Sequence, residues 1–134
     1  SQSHFFAAPA GTKDKEGYQA QILSAADQYI ASSASVVINK WNHLAGSCDT
    51  DKCYIYVNGV KGDSIAIPVN YSFNNILAQF EVGTYRGLSR ITTGSLDEIK
   101  IYGKGMAAAE VQKHYAEGIY RLQLAELTNN SLLK

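Results

Sequence analysis

The chain has 134 residues, the size of one domain, and its twelve basic and twelve acidic side chains give a formal net charge of zero. Proteins bind nucleic acid through clustered Lys and Arg, so this scattered, balanced charge does not favour a nucleic-acid partner. No apolar run approaches the roughly 20 residues that span a bilayer, so we predict no membrane span in this chain. The absence of net repulsion instead permits self-association or binding to another protein chain.

The first third of the chain indicates short strands separated by turns. Phe5-Phe6 is typical of the end of a strand. Residues 11–17 indicate an exposed turn, because they contain a glycine at each end and charged residues between. Residues 19–23 and 35–38 are the next predicted strands.

A hairpin is the clearest element. Its arms are residues 42–47 and 54–57, and the second arm consists of strong β-formers. Asn58-Gly59 is the best turn signal in the chain, since both residues tolerate positive φ. Further strands are predicted over residues 61–69, 77–84 and 95–102. Short strands at this spacing predict an antiparallel sandwich.

Cys48 and Cys53 enclose the tip of the hairpin. Their spacing can bring the two Cα atoms within disulfide range, and the short loop implies a stabilisation of about 2 kcal/mol. Two free thiols or half of a metal site are the alternatives, although zinc pairs usually have two intervening residues and a second ligand pair. We predict a disulfide, which places the chain in an oxidising, extracellular setting.

A helix is predicted over residues 106–127, where apolar residues recur at a period near 3.6 residues. Glu110 suits the first turn because of the helix dipole, whereas Ala107 is a poor N-cap. Such a helix either packs on the sandwich or docks a neighbour. We therefore divide the chain into a sandwich, residues 1–105, and a C-terminal helix and tail, residues 106–134.

Three segments resemble motifs of one protein family. They are residues 41–45, residues 54–60, and residues 94–102 with the following helix start. The chain resembles the closing half of a laminin-G-like, concanavalin-A-like jelly roll. The resemblance implies an all-β antiparallel jelly-roll sandwich with a C-terminal helix, and a mostly non-catalytic module. The expected core residues are Trp41, Tyr56, Leu96, Ile99 and Ile101.

The family usually has several further strands before the segment that matches Phe5-Phe6. We therefore expect a fragment lacking its first strands, a minimal variant, or one chain of a split domain completed by strand addition. The C-terminal end also resembles laminin-G-like domains of pilin-like surface proteins. An interface is predicted at Phe5, Phe6, Ile119 and Leu122.

A glycosidase of the same fold is disfavoured by the spacing of the carboxylates. Retaining glycosidases hold two carboxyl groups about 5–5.5 Å apart, which on a strand requires alternate positions. Asp97 and Glu98 are adjacent and are predicted to be structural. No nucleophile elbow, phosphate loop or paired His motif occurs, and His4, His43 and His114 are isolated. We predict no enzyme activity.

Calcium and glycans stay open as ligands, and no cofactor is required. Asp49, Asp51 and Asn58 offer oxygen atoms of the kind that calcium prefers, with ordinary turn residues as the alternative interpretation. Glycan binding would use the aromatic and polar residues Tyr71, Tyr85 and Arg86. In addition, Asn70 and Asn129 begin glycosylation acceptor patterns.

The sequence thus predicts a non-catalytic structural or adhesion module, extracellular or on the cell surface. It would serve as a subunit of a pilin-like filament or as one chain of a split domain. The alternative is a glycan-binding, lectin-like module, with or without calcium.

Overall fold

The computed structural model describes residues 5–12, 15–22, 28–37, 39–67, 69 and 94–132, and in the first three strands it is the backbone pairing that is described. This part of the chain contains six strands and one helix. In chain order they are β1 (Phe5–Thr12), β2 (Lys15–Ile22), β3 (Gln28–Ser35), β4 (Leu44–Cys48), β5 (Lys52–Val57), β6 (Val60–Ala66) and α1 (Ala108–Leu132).

The first sheet has the order β1-β2-β3 and is antiparallel. Thr12 is already paired with Lys15, so the turn is narrower than the predicted residues 11–17. The strand predicted at residues 35–38 is wrong for Val36 and Val37, since β3 ends at Ser35, and residue 38 lies outside the described residues. The reason is local: the Asn42 side chain accepts from Val37 N at 2.9 Å and donates to Val37 O at 2.8 Å, in place of a neighbouring strand.

The second sheet has the order β4-β5-β6 and confirms the predicted hairpin. As the central strand, β5 is the most deeply buried, with Ile55 and Val57 each 1% exposed. Asn58 and Gly59 form the turn to β6 with φ of 52° and 75°, so the predicted positive φ is present at both.

The two sheets meet along β3, which lies beside β6 and approaches β5. Ile65 of β6 and Val111 of α1 complete the described core around β5. The antiparallel sheets and the C-terminal helix agree with the predicted fold class. The strand predicted over residues 77–84 lies outside the described residues.

Residues 95–102 do not form a strand in the structure, contrary to the prediction. Glu98 has a φ of 50°, and its N–H donates to Asp97 Oδ1 at 2.7 Å, a local bond that competes with strand pairing. Without a ladder, neither face of the segment is buried. The core prediction is therefore wrong for Leu96, Ile99 and Ile101, which are 53%, 56% and 73% exposed.

Two core predictions remain: the prediction for Trp41 is wrong, and the prediction for Tyr56 is confirmed. Trp41 is 51% exposed, because it lies in the loop before β4 and not on a strand that would direct the indole inward. Tyr56, at the centre of β5, is 2% exposed as predicted.

Helix α1 is 25 residues long, and a glutamate side chain compensates for its poor N-cap residue. Ala107 is the N-cap residue, and its N–H donates to Glu110 Oε2 at 2.8 Å. This is the half of a capping box that the N3 glutamate supplies. The pKa of Glu110 lies below its ordinary value, chiefly because its carboxylate accepts from the Ala107 N–H and secondly because Lys104 is nearby. No helix in the described part of the chain is long and apolar enough to cross a membrane.

Candidate functional site

The tip of the β4–β5 hairpin is joined to the start of α1 by a reciprocal pair of hydrogen bonds. Ser47 Oγ donates to Met106 O at 2.8 Å and accepts from Met106 N at 2.7 Å, across a separation of 59 residues. Ser47 is 6% exposed, so its hydroxyl is satisfied within the protein. Gly105 lies directly against the Cys48 carbonyl, where a Cβ atom would overlap the oxygen.

The predicted disulfide is present between Cys48 and Cys53, which lie directly opposite each other in the β4–β5 ladder. The Cα atoms are 4.0 Å apart. Cys53 is fully buried. The disulfide closes the hairpin at the point where the segment before α1 crosses it.

Asp49 organises the loop that the disulfide closes. Its Oδ1 accepts from Asp51 N at 2.8 Å and from Lys52 N at 2.7 Å, and its Oδ2 accepts from the Tyr54 hydroxyl at 3.0 Å. The two backbone N–H donors are the main reason why the pKa of Asp49 lies below its ordinary value. The same carboxylate raises the pKa of Tyr54.

A cleft of about 580 Å³ lies between this loop and the start of α1. Lys61 reaches in from β6 and places its Nζ 3.8 Å from the centroid of the Tyr54 ring. Tyr56 also lines the cleft, and burial, followed by the charge of Asp49, raises its pKa. The cleft therefore offers aromatic surface, one ammonium group and one carboxylate to a small polar ligand.

The predicted calcium ligands do not form one site. Asp49 and Asp51 lie at the tip of the hairpin, whereas Asn58 lies at the far end of β5, about 20 Å away at 3.4 Å per residue. Asn58 Oδ1 accepts from His43 N at 2.9 Å, and Asn58 Nδ2 donates to Asn42 Oδ1 at 3.0 Å. The Asn58 amide thus closes the turn, and we withdraw the prediction for these three residues together.

The Glu98 carboxylate is part of an ion-pair network. Its Oε2 lies 3.0 Å from Lys100 Nζ, and its Oε1 lies 2.6 Å from Arg121 Nη1 on α1. These two cations, Lys100 first, hold the pKa of Glu98 below its ordinary value. A glycosidase acid needs a raised pKa, so Glu98 is suited to anchoring residues 94–104 to α1 and not to donating a proton.

His43 lies between the hairpin and α1. Its ring centroid is 6.0 Å from that of Tyr115, and its Nδ1 is buried without a hydrogen-bond partner among the described residues. Burial lowers the pKa of His43, and the nearby His114 and Lys100 lower it further. Protonation of His43 would therefore place a cation where burial and two basic side chains oppose it.

We expect acid to weaken the attachment of α1 through His43. Because its folded-state pKa lies below 6.5, the unfolded chain binds the proton first, and the free energy of unfolding should fall as the pH drops below 6.5. The measurement is urea unfolding at about pH 7.5 and about pH 5.5, the range over which histidine titrates. His43→Gln should lose less stability between these pH values than the natural protein.

The carboxylates of Asp49 and Glu98 do not affect the comparison of the two proteins between these pH values. The pKa values of Asp49 and Glu98 lie below 3.8 and 4.5, so the stability they contribute is complete above that range and is lost only in stronger acid. An equal loss in both proteins between about pH 7.5 and 5.5 would contradict a role for His43.

The other predicted site residues are only partly placed by the structure. Tyr71, Tyr85, Arg86 and Asn70 lie outside the described residues, and their roles stay predictions. Asn129 lies in α1, which continues past the predicted helix end at residue 127.

The predicted interface residues fall on two elements. Phe5 and Phe6 lie in β1, at one side of the described order β1-β2-β3. Ile119 and Leu122 are half-buried, on the same side of α1 as Val111. The exposed apolar side chains of α1 are others, namely Tyr120, Leu124, Leu127 and Leu132.

The sequence interpretation missed the residues that join distant segments. The role of Glu110 could have been predicted from the sequence, because a glutamate three residues after the N-cap is half of a capping box. No sequence pattern indicates the roles of Ser47, Gly105 and Arg121, since each acts on a partner that only the tertiary fold brings close.

Comparisons with known proteins agree with this architecture. A family model of the laminin G type, described as the Concanavalin A-like lectin/glucanases superfamily, matches residues 4–112. The fold is similar to the crystal structure of an S-layer domain-containing protein (residues 221-444) from Clostridium thermocellum ATCC 27405, with a TM-score of 0.51 and 14% identity. That similarity covers 85% of this chain and 63% of the length of that structure. No curated protein matches the chain. The match over residues 4–112 shows that the chain belongs to the laminin-G-like branch of the concanavalin A-like superfamily.

Proposed function

We propose that this protein is a non-catalytic structural module of an extracellular surface assembly. The observation that carries the proposal is the apolar surface on α1 and on residues 94–104. Seven large apolar side chains on these two segments are more than half exposed: Leu96, Ile99, Ile101, Tyr120, Leu124, Leu127 and Leu132. Exposed apolar surface that forms one contiguous patch is typical of protein–protein contact sites.

Two further features support an extracellular setting. The Cys48–Cys53 disulfide is of the kind that persists in oxidising compartments. The similar crystal structure comes from a protein described as S-layer domain-containing. A role for this chain within a surface layer, a pilin-like filament or a split domain is part of the proposal.

The chemistry of the conspicuous carboxylates also favours a structural module. Glu98 is bound to two cations and Asp49 to three donors, and in both the pKa is lowered. Bound in this way, the Asp49 carboxylate stabilises its loop, and the Glu98 carboxylate stabilises the contact between residues 94–104 and α1. An acid catalyst would need the opposite shift.

The proposal is tested on intact cells of the source organism. A membrane-impermeant amine reagent should label the protein without lysis, and the gently released protein should have a native mass above that of one chain. Labelling only after lysis would overturn the extracellular assignment. A released protein with the mass of a single chain would overturn the assembly role.

A glycan-binding module is the second candidate, and the cleft beside Tyr54 favours it. Its aromatic ring, ammonium and carboxylate are a suitable set for a polar ligand of sugar size. On a glycan array, Tyr54→Ala should weaken binding at least about tenfold. Tyr120→Ala on the far side of α1 is the matched control. Equal binding by both variants would exclude this cleft.

A further inference from the structure

Helix α1 has apolar side chains on two opposite sides. The inner side contacts the hairpin: Val111 is fully buried, and a Cβ atom on Gly59 would touch the Tyr115 ring. Tyr120 follows Val111 by about two and a half helical turns and therefore lies on the opposite side. Leu124 and Leu127 continue that side one and two turns later, with exposures of 51% and 68%. We name Tyr120, Leu124 and Leu127 the outer stripe.

The second half of α1 needs a packing partner to account for its stability. No residue after Val111 in the described helix is buried. The last turns contain Thr128, Asn129 and Asn130, all poor helix formers, and short helical segments are marginal without tertiary contacts. A partner on the outer stripe would supply those contacts.

The charge of this half of α1 indicates which class of molecule can bind the outer stripe. Between residues 118 and 132 the only side chains charged at neutral pH are Arg121 and Glu126, and Arg121 is already bound to Glu98. A surface that is neutral and apolar offers nothing to nucleic acid or to an anionic membrane, which select clustered cations. A partner with a neutral, apolar face of the same shape matches it.

A second copy of this chain has such a face. We propose that α1 pairs antiparallel with α1 of a second copy through the outer stripe. Around a two-fold axis near Leu124, Tyr120 of each copy packs against Leu127 of the other, as an isologous interface requires. The net charge of zero means that two copies do not repel each other. Ile99, held beside the helix by the Glu98–Arg121 pair, adds apolar area at the edge.

This inference rests on the proposed assembly function and names its contact. Because one helix face is a small interface, the dimer should be weak, with dissociation in the micromolar range. Sedimentation velocity of the purified protein should therefore show a mass that doubles as concentration rises through that range.

Two substitutions one residue apart test the stripe. Leu124→Glu should raise the dissociation constant at least about 30-fold, because it buries a charge at the centre of the contact. Ala125→Glu adds the same charge on an exposed position off the stripe and should leave dimerisation unchanged. Circular dichroism melts verify that both variants fold. If the natural protein stays a single chain at the highest concentration, the proposal is wrong.

Cross-linking identifies the partner as a second copy. Both natural cysteines are committed to the disulfide, so Leu124→Cys adds one free thiol per chain. Near the two-fold axis, oxidation should give a covalent dimer on a non-reducing gel, and Ala125→Cys should not. A dimer that forms in solution but tolerates Leu124→Glu would place the contact elsewhere. That result would overturn this inference while leaving the assembly function standing.

Discussion

Replacing Gly105 by alanine should destabilise the protein by about 3 kcal/mol and lower its melting temperature by roughly 10 °C. The new Cβ atom would overlap the Cys48 carbonyl, and both groups are backbone, so neither can rotate away. The overlap can be relieved only if residues 105–106 move away from the hairpin. That movement breaks both hydrogen bonds between Ser47 and Met106. A thermal melt followed by circular dichroism measures the change.

Gly103→Ala is the matched control for this prediction. No atom lies within 4 Å of the position where its Cβ would be built, and its φ is outside the left-handed region. It should be neutral or slightly stabilising, since alanine restricts the unfolded chain more than glycine does. Similar melting temperatures for the two variants would show that Gly105 does not lie tightly on the hairpin.

Removal of the disulfide should cost about 2 kcal/mol, the entropy of closing a loop of six residues. The double variant Cys48→Ala, Cys53→Ala should in addition lose packing, because Cys53 is fully buried. Thermal melts in oxidising and reducing buffer measure the effect. The natural protein should melt several degrees lower with reductant.

The double variant supplies the control for the reductant itself. It contains no thiol, so its melting temperature should be the same in both buffers. If the natural protein is equally insensitive, the disulfide makes no contribution to the stability of the hairpin.

The hairpin could be predicted from the sequence because its determinants are local. Tyr54, Ile55 and Val57 favour a strand, and Asn58-Gly59 supplies the two positive φ angles that the next turn, from β5 to β6, requires. The disulfide followed from the same hairpin, since the two cysteines enclose its predicted tip at a spacing that allows a disulfide. The beginning of the helix was likewise predicted within two residues of Ala108.

The failures come from residues whose partners are distant or unexpected. Residues 95–102 have strand-like composition, but Glu98 turns the backbone and bonds to Arg121 on α1. Val37 looked like a strand residue, but the Asn42 side chain occupies its backbone groups. In the candidate site, the sequence left Asp49 open as a calcium ligand or an ordinary turn residue, and the structure shows its oxygens accepting bonds from its own loop.

The contact between Gly105 and Cys48 also bears on the order in which the protein matures. The two cysteines precede the covering residues Gly105 and Met106 by more than 50 residues, so the hairpin can form while the later chain is still being synthesised. We expect an oxidising enzyme to reach both thiols at that stage, because local hairpins form in microseconds. Once Met106 binds Ser47, the Cys48 carbonyl is covered and Cys53 is fully buried. The disulfide is therefore best made before the helix docks, and a chain that docks first would mature slowly.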